Sequence, residues 1–198
     1  MSKISVREMT LAGAFGGIIL FLSLVPSPWG QWGFIKFSSG IEFTIVHIPV
    51  IIGSMFGGKR VALMLGLIFG LGSISAAAIY GGATAVMFLN PLVSILPRVL
   101  FGYAIYLLFN LFKNRFKNPA IAFALTAALS TVIHTVLVLS MLFVFYLSPK
   151  ALFTLIETEQ LKMLLLFLLM INLVVEVFLA VAIATPIGVR MKQFKEAK

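Results

Sequence analysis

Apolar runs about as long as a membrane-crossing helix alternate with short basic clusters along this chain of 198 residues. A crossing helix needs about 20 apolar residues. No charge occurs from 9 to 35, but Pro26, Pro28, Trp29, Gly30, Trp32 and Gly33 fill the second half. The first helix is therefore predicted over about 9–25. No small-residue cleavage site follows it, so it is read as a retained helix and not a signal peptide. A shorter run broken by Pro49 predicts a helix over about 42–57. Residues 61–97 carry no charge and are too many for one crossing. Gly81-Gly82 divides them into helices over about 60–79 and 86–112. Two more follow, over about 118–147 and 162–189. The expected fold is an all-α integral membrane protein of six transmembrane helices, one domain over 1–198, without an internal repeat.

Charge adds an orientation. Lys3, Arg7, Lys59, Arg60, Lys113, Arg115, Lys117, Arg190, Lys192, Lys195 and Lys198 fall on one side of the predicted bundle. The other side holds Lys36, Lys150 and Lys162, beside Glu42, Glu157 and Glu159. Basic residues concentrate in cytoplasmic loops, so both termini are expected to face the cytoplasm. Trp29, Trp32 and Tyr146 fall where an outer aromatic belt would lie. The net charge of +9 thus reports topology and not nucleic-acid binding. Only 11% of residues are charged and mean hydropathy is +1.13, which excludes a water-soluble globule. There is no Cys and no Asp, which removes disulfides, thiol nucleophiles and every mechanism built on an aspartate.

Five features carry candidate chemistry. Gly53-Ser-Met-Phe-Gly57-Gly58-Lys59 follows a phosphate-loop spacing, but Arg60 stands where a magnesium-binding hydroxyl belongs. We read it as a glycine turn followed by a cytosolic basic pair. On the first helix, Ala12, Gly13, Gly16 and Gly17 form small-xxx-small pairs with Ala14 beside them. They let another helix approach, either within this chain or from a separate membrane subunit. Glu176 sits mid-run in the last helix with Asn172 one turn earlier on the same face. An ionisable group there is costly and marks an interior cavity. Arg98 follows Asn90-Pro91 and Pro97 at the start of the fourth helix. Thr126, Ser130 and His134 share one stripe of the fifth helix, and His47 precedes Pro49. Arg98 is a donor and Glu176 an acceptor, while Asn172, Asn90, His134 and His47 serve as either. With Trp32 and the other outer aromatics as a cover, these residues describe a pocket for a small polar molecule with an apolar body.

Taken together, these motifs resemble the membrane-embedded S components of energy-coupling factor (ECF) vitamin transporters. The likeness covers nearly the whole chain: Ala12-Gly-Ala-Phe-Gly16, His47-Ile-Pro-Val-Ile-Ile-Gly53, Gly66-Leu-Ile-Phe-Gly70-Leu-Gly-Ser73, Asn90-Pro-Leu-Val-Ser-Ile-Leu-Pro-Arg98 and Asn172-x-x-x-Glu176 with Pro186. The resemblance implies a six-helix subunit that captures a vitamin at the outer face. It also implies a transmembrane coupling subunit and two cytosolic ATPase subunits as partners, the latter holding the ATP and magnesium that this chain lacks. Ala12, Gly13, Gly16 and Gly17 would then dock the coupling subunit, and the S component would topple to carry the occupied site inward.

Within the family the His-Ile-Pro, Leu-Pro-Arg and Asn-x-x-x-Glu pattern is most similar to pantothenate S components. A guanidinium binds a carboxylate bidentately, and Glu176 and Asn172 would take the hydroxyls or the amide. The alternative substrate is a ring vitamin of the pyridoxine or hydroxymethylpyrimidine type, with Glu176 on a ring nitrogen and Trp29, Trp32 or Tyr80 stacking. Two readings of another class stand beside these. His47, His134 and Glu176 form the ligand set of an intramembrane metalloenzyme, though no HExxH or paired-glutamate motif accompanies them. A purely structural or chaperone membrane protein is the other.

Overall fold

The computed structural model describes residues 4–28, 30–38, 41–80, 85–145 and 159–196. Trp29, Gly81-Gly82 and Tyr146 lie outside them, as does most of the second outer loop. Five of the described helices are long and apolar enough to cross a membrane: α1 (Val6–Leu24), α2 (His47–Tyr80), α3 (Pro91–Lys113), α4 (Pro119–Phe145) and α5 (Glu159–Glu196). A 3₁₀ turn at Ala85–Leu89 precedes α3. Packing follows chain order: α2 lies between α1 and α3, α4 between α3 and α5, and α5 returns to α2.

The predicted second and third helices follow one another without a gap as the two halves of α2, which meet at a break at Gly58. Its φ of 76° and ψ of −174° are open to glycine and not to side-chain-bearing residues. The break divides α2 into 47–57 and 59–80. Helical geometry makes the first half about 16 Å long, roughly half a bilayer core of about 30 Å. Residues 46–55 are buried on every face, as befits a segment apolar all round. Three glycines bring α2 and α3 together at backbone distance. A side chain on Gly66 would strike the Arg98 carbonyl, one on Gly70 would meet Ile95 Cα at 2.7 Å, and one on Gly102 would strike the Ala62 carbonyl.

The segment between α1 and α2 departs from the all-helical expectation. It forms a four-stranded antiparallel meander: β1 (Pro26–Ser27), β2 (Gly30–Gln31), β3 (Phe34–Ser38) and β4 (Ile41–Thr44). β3 and β4 pair Phe34 with Thr44, Ile35 with Phe43 and Lys36 with Glu42, with a bulge before Ser38. The helix expected from residue 42 consequently begins at His47. Aromatic and β-branched residues on both sides of Ser39-Gly40 favour a hairpin over helix. The meander is fixed to the end of α1: Gly33 N–H donates to the Leu22 carbonyl at 2.8 Å, and Gln31 Nε2 donates to the Ser23 carbonyl at 3.1 Å.

α3 begins later than the expected residue 86. Asn90 caps it, its side-chain oxygen accepting from Leu92 N–H at 3.0 Å, with Pro91 in the first turn. α5 runs past the expected residue 189 to Glu196, because Arg190 and Lys192 at a helix C-terminus complement its dipole and do not end it.

Candidate functional site

The site is built around Arg98, and the sequence Val93–Pro97–Arg98 explains its posture. Pro97 has no N–H, so the Val93 carbonyl one turn earlier loses its helical donor. Arg98 Nη1 supplies the missing bond at 2.8 Å. This curls the guanidinium back along α3, between two rings: Cζ stands 5.6 Å from the Phe69 centroid and 5.4 Å from that of Phe88. Both distances are in the cation–π range. The side chain is 6% exposed, and Nε has no partner in the protein. Among the described residues no carboxylate pairs with it.

Two histidines lie beside it. His47 opens α2 and His134 belongs to α4; their rings stack at 6.1 Å and 17°. His134 also meets Phe69 at 5.5 Å and Phe101 at 4.7 Å. Phe69 thus touches both Arg98 and His134 and joins the three polar residues into one cluster. The ring nitrogens of His47 make no hydrogen bond of full geometry within the protein, the Thr44 backbone being a polar neighbour, and His134 Nε2 has no partner. The rest of the α4 stripe behaves differently. Thr126 donates to the Ala122 carbonyl at 2.7 Å, and Ser130 and Thr131 donate to that of Ala127 at 3.2 and 2.9 Å. Their hydroxyls are satisfied by their own helix. His134 is left as the member of that stripe with unspent hydrogen-bonding capacity.

Glu176 reaches the same neighbourhood through the meander. Its Oε1 accepts from Thr44 N–H at 2.9 Å, and Thr44 lies three residues before His47. β4 is an edge strand, and its outward N–H needs a partner where water is scarce. Glu176 provides it. Asn172, one turn earlier on α5, is half-buried and its Oδ1 has no partner in the protein. The structure therefore joins Arg98, His47 and His134 directly and ties Glu176 to the strand leading into His47.

The remaining sequence candidates have other places. Asn90 spends its side-chain oxygen on the cap of α3. Trp32 is 41% exposed at the β2–β3 turn. Tyr80 donates its hydroxyl to the Leu24 carbonyl at 2.6 Å, pinning the end of α2 to that of α1. Among the described residues no three His, Cys, Asp or Glu side chains group so as to hold a metal. Gly53 and the following four residues of the phosphate-loop spacing are helical and packed, since a side chain on Gly53 would strike Leu65 and meet Phe15 at 2.9 Å.

The small residues of α1 divide into two faces. Ala12 and Gly16 belong to the seam Ala12, Gly16, Ile19, Ser23 buried in the molecule. A side chain on Gly16 would meet Ile68 Cδ1 of α2 at 2.8 Å. Gly13 and Gly17 are exposed, and nothing lies within 4 Å of where their side chains would be.

Sequence reasoning passed over three contributors. Phe69 and Phe101 looked like ordinary apolar residues; their signal was the glycine beside each, Gly70 and Gly102, which bring α2 and α3 into contact. Thr44 was hidden by the helix assigned across it.

Comparison with known proteins accords with this geometry. A family described as "ECF transporter, substrate-specific component" matches residues 7–188. A protein named pantothenic acid transporter PanT, from Lactococcus lactis subsp. cremoris, is 32% identical over 160 residues, covering 74% of this chain and 77% of its own. A second, named pantothenate transporter PanT, from Leuconostoc mesenteroides subsp. mesenteroides, is 26% identical over 195 residues, covering 95% of this chain and 93% of its own.

Proposed function

We infer the function of this chain from the family to which it belongs, the substrate-specific components of ECF transporters. It is the substrate-binding subunit of an ECF vitamin importer, a multi-pass protein of the prokaryotic plasma membrane that works with coupling and ATPase subunits. Its vitamin is pantothenate. The observation that carries this assignment is Arg98: a cation buried among Phe69, Phe88 and His134, with Nε unspent and no carboxylate of a described residue beside it. An uncompensated buried charge is costly, and a ligand carboxylate relieves that cost. The names of the two PanT relatives support the same vitamin.

Each part of pantothenate has a counterpart. The carboxylate goes to Arg98. The amide and hydroxyls go to the unspent atoms of His134 and Asn172, and to His47 and Glu176, which they share with Thr44. The aliphatic body rests on Phe69 and Phe101. Glu176 also holds β4, so ligand and meander share one carboxylate.

Titration of the purified protein with pantothenate and with pantothenol, which carries an alcohol in place of the carboxylate, tests the assignment. The alcohol is expected to bind about 100-fold more weakly, the loss of a charge-assisted pair. Equal affinities would make Arg98 structural and favour a ring vitamin of the pyridoxine or hydroxymethylpyrimidine type. In the same titration, Glu176→Gln weakens pantothenate about tenfold, because a neutral amide oxygen accepts less strongly than a carboxylate. An unchanged affinity would restrict Glu176 to holding the sheet.

The chain crosses the membrane six times, the meander and the short first half of α2 together making one crossing and the second half of α2 the next, with both termini cytoplasmic. The basic clusters at Lys59-Arg60, Lys113–Lys117 and Arg190-Lys192 support this orientation. The natural chain has no cysteine, so single introduced cysteines report topology cleanly. In intact cells, a membrane-impermeant maleimide should label Pro28→Cys and spare Lys117→Cys. Labelling of Lys117→Cys would invert the topology. The chain takes its energy from partner ATPases; it hydrolyses no ATP itself.

A further inference from the structure

A cavity of about 650 Å³ lies at the opposite end of the bundle from Arg98 and the histidines. Along α2, Gly58 in its wall is 11 residues from His47, or about 16 Å by helical rise; along α4, Pro119 is 15 residues from His134, or about 22 Å. The vitamin site makes no use of it.

Its chemistry is two-sided. The floor is aromatic: Phe56 stacks on Phe123 at 5.7 Å, and Phe109 stacks on Phe123 at 5.1 Å. The rim is cationic. Arg7 enters from the first turn of α1, Lys113 from the last turn of α3 and Lys192 from the end of α5. Amides of Asn110 and Asn114 stand among them, and no carboxylate lines the cavity. The nearest acidic side chain of α1, Glu8, is folded back on Ser5 in a capping box, with bonds of 2.8 and 2.9 Å. The first residues of α4 also form part of the wall. That is the positive end of a helix dipole, which favours an anion. Beside the α3 lining, the stripe Leu107 and Leu111 is exposed, Leu111 at 64%. An apolar outer face therefore runs directly up to the basic rim.

Cations on a rim, an aromatic floor and an adjoining lipid-facing stripe together fit an oxyanion carried on an apolar body. We propose that this cavity binds the phosphodiester headgroup of an anionic phospholipid, with Arg7 and Lys113 on the phosphate and the acyl chains along Leu107 and Leu111. Basic pockets between transmembrane helices at this depth take such headgroups. A bound lipid would bridge α1, α3 and α4 at the end where the breaks and loops of the bundle converge.

The test is native mass spectrometry of the full chain released from nanodiscs of phosphatidylcholine containing phosphatidylglycerol. Wild type should retain phosphatidylglycerol in preference to phosphatidylcholine. Arg7→Gln and Lys113→Gln should each cut that preference about fivefold, while the charge-keeping pair Arg7→Lys and Lys113→Arg retains it. Pantothenate binding, read on the same samples, should be unchanged in all four, so failure here is separable from failure of the vitamin site. Equal retention of the two lipids would overturn the proposal, as would a preference that survives both glutamine variants or is lost equally in the charge-keeping pair. Displacement of the lipid by millimolar inorganic phosphate would reassign the cavity to a soluble anion.

Discussion

Arg98→Gln abolishes useful capture of pantothenate, weakening it by about 100-fold or more, while the protein without ligand keeps or gains thermal stability. The two halves of this result have one cause. Arg98 is a cation held at 6% exposure with no carboxylate of a described residue beside it. Removing one partner of a completed buried ion pair strands the other charge and destabilises strongly. Removing an unpaired charge strands nothing. Glutamine also keeps a donor for the Val93 carbonyl that Pro97 leaves without its helical bond. The ligand-bound protein is expected to differ, because in the proposed complex the guanidinium meets the carboxylate through two charge-assisted bonds. The ligand-induced rise in melting temperature should therefore vanish in Arg98→Gln. Arg98→Lys keeps the charge without the planar fork and should fall between the two. If Arg98→Gln instead melts lower and binds as wild type does, Arg98 serves only to mend the break at Pro97.

The second large effect falls on assembly. Gly17→Leu, alone or with Gly13→Leu, should leave pantothenate affinity unchanged and remove co-purification with the coupling subunit. Gly13 and Gly17 have open space where side chains would stand, so leucine there strains nothing within the chain. A bare helix face gains nothing against lipid, whose tails pack on leucine equally well; it gains against a protein backbone that can come close. Gly16→Leu is the contrasting control. Its side chain would collide with Ile68 of α2, so it should lower stability and disturb vitamin binding through the fold. Co-purification of Gly17→Leu at wild-type yield would place the docking face elsewhere.

The split of α1 into these two faces marks a limit of reading the sequence. Ala12, Gly13, Gly16 and Gly17 are adjacent in a stripe of small residues, and spacing alone gives two overlapping seams. Which seam turns inward depends on the partners α1 meets, Ile68 and Gly72 of α2 among them, and these are fixed by tertiary packing. Helix existence was legible, because a long apolar run has one solution in a membrane. The turn at Gly58 was legible too, since glycines followed by Lys59-Arg60 mark a chain reversal at a basic surface. The meander was not. Phe34–Ser38 and Ile41–Thr44 alternate well enough for strands, but an apolar run after them hid the boundary at His47. With the meander went the Thr44–Glu176 bond, a contact between positions 132 residues apart that no local pattern encodes.

The polar site was partly legible for a similar reason. Arg98 and His134 stand out because charged and titratable groups are rare in apolar runs. Their convergence was expected only as a shared pocket; the contacts that make it were not readable, since they depend on Gly66 and Gly70 bringing α3 against α2 and on Phe69 lying between Arg98 and His134. Asn90 looked equally eligible in the sequence. Its position before Pro91, where a helix N-cap is expected, was the local sign of its structural use.

The central claim is that this S component selects an acid through one buried guanidinium. The most direct test is to purify the chain in detergent, denature it and weigh the small molecule released. The account predicts pantothenate from wild type in near-stoichiometric amount and none from Arg98→Gln. Release of a neutral or cationic ring vitamin from wild type would contradict it.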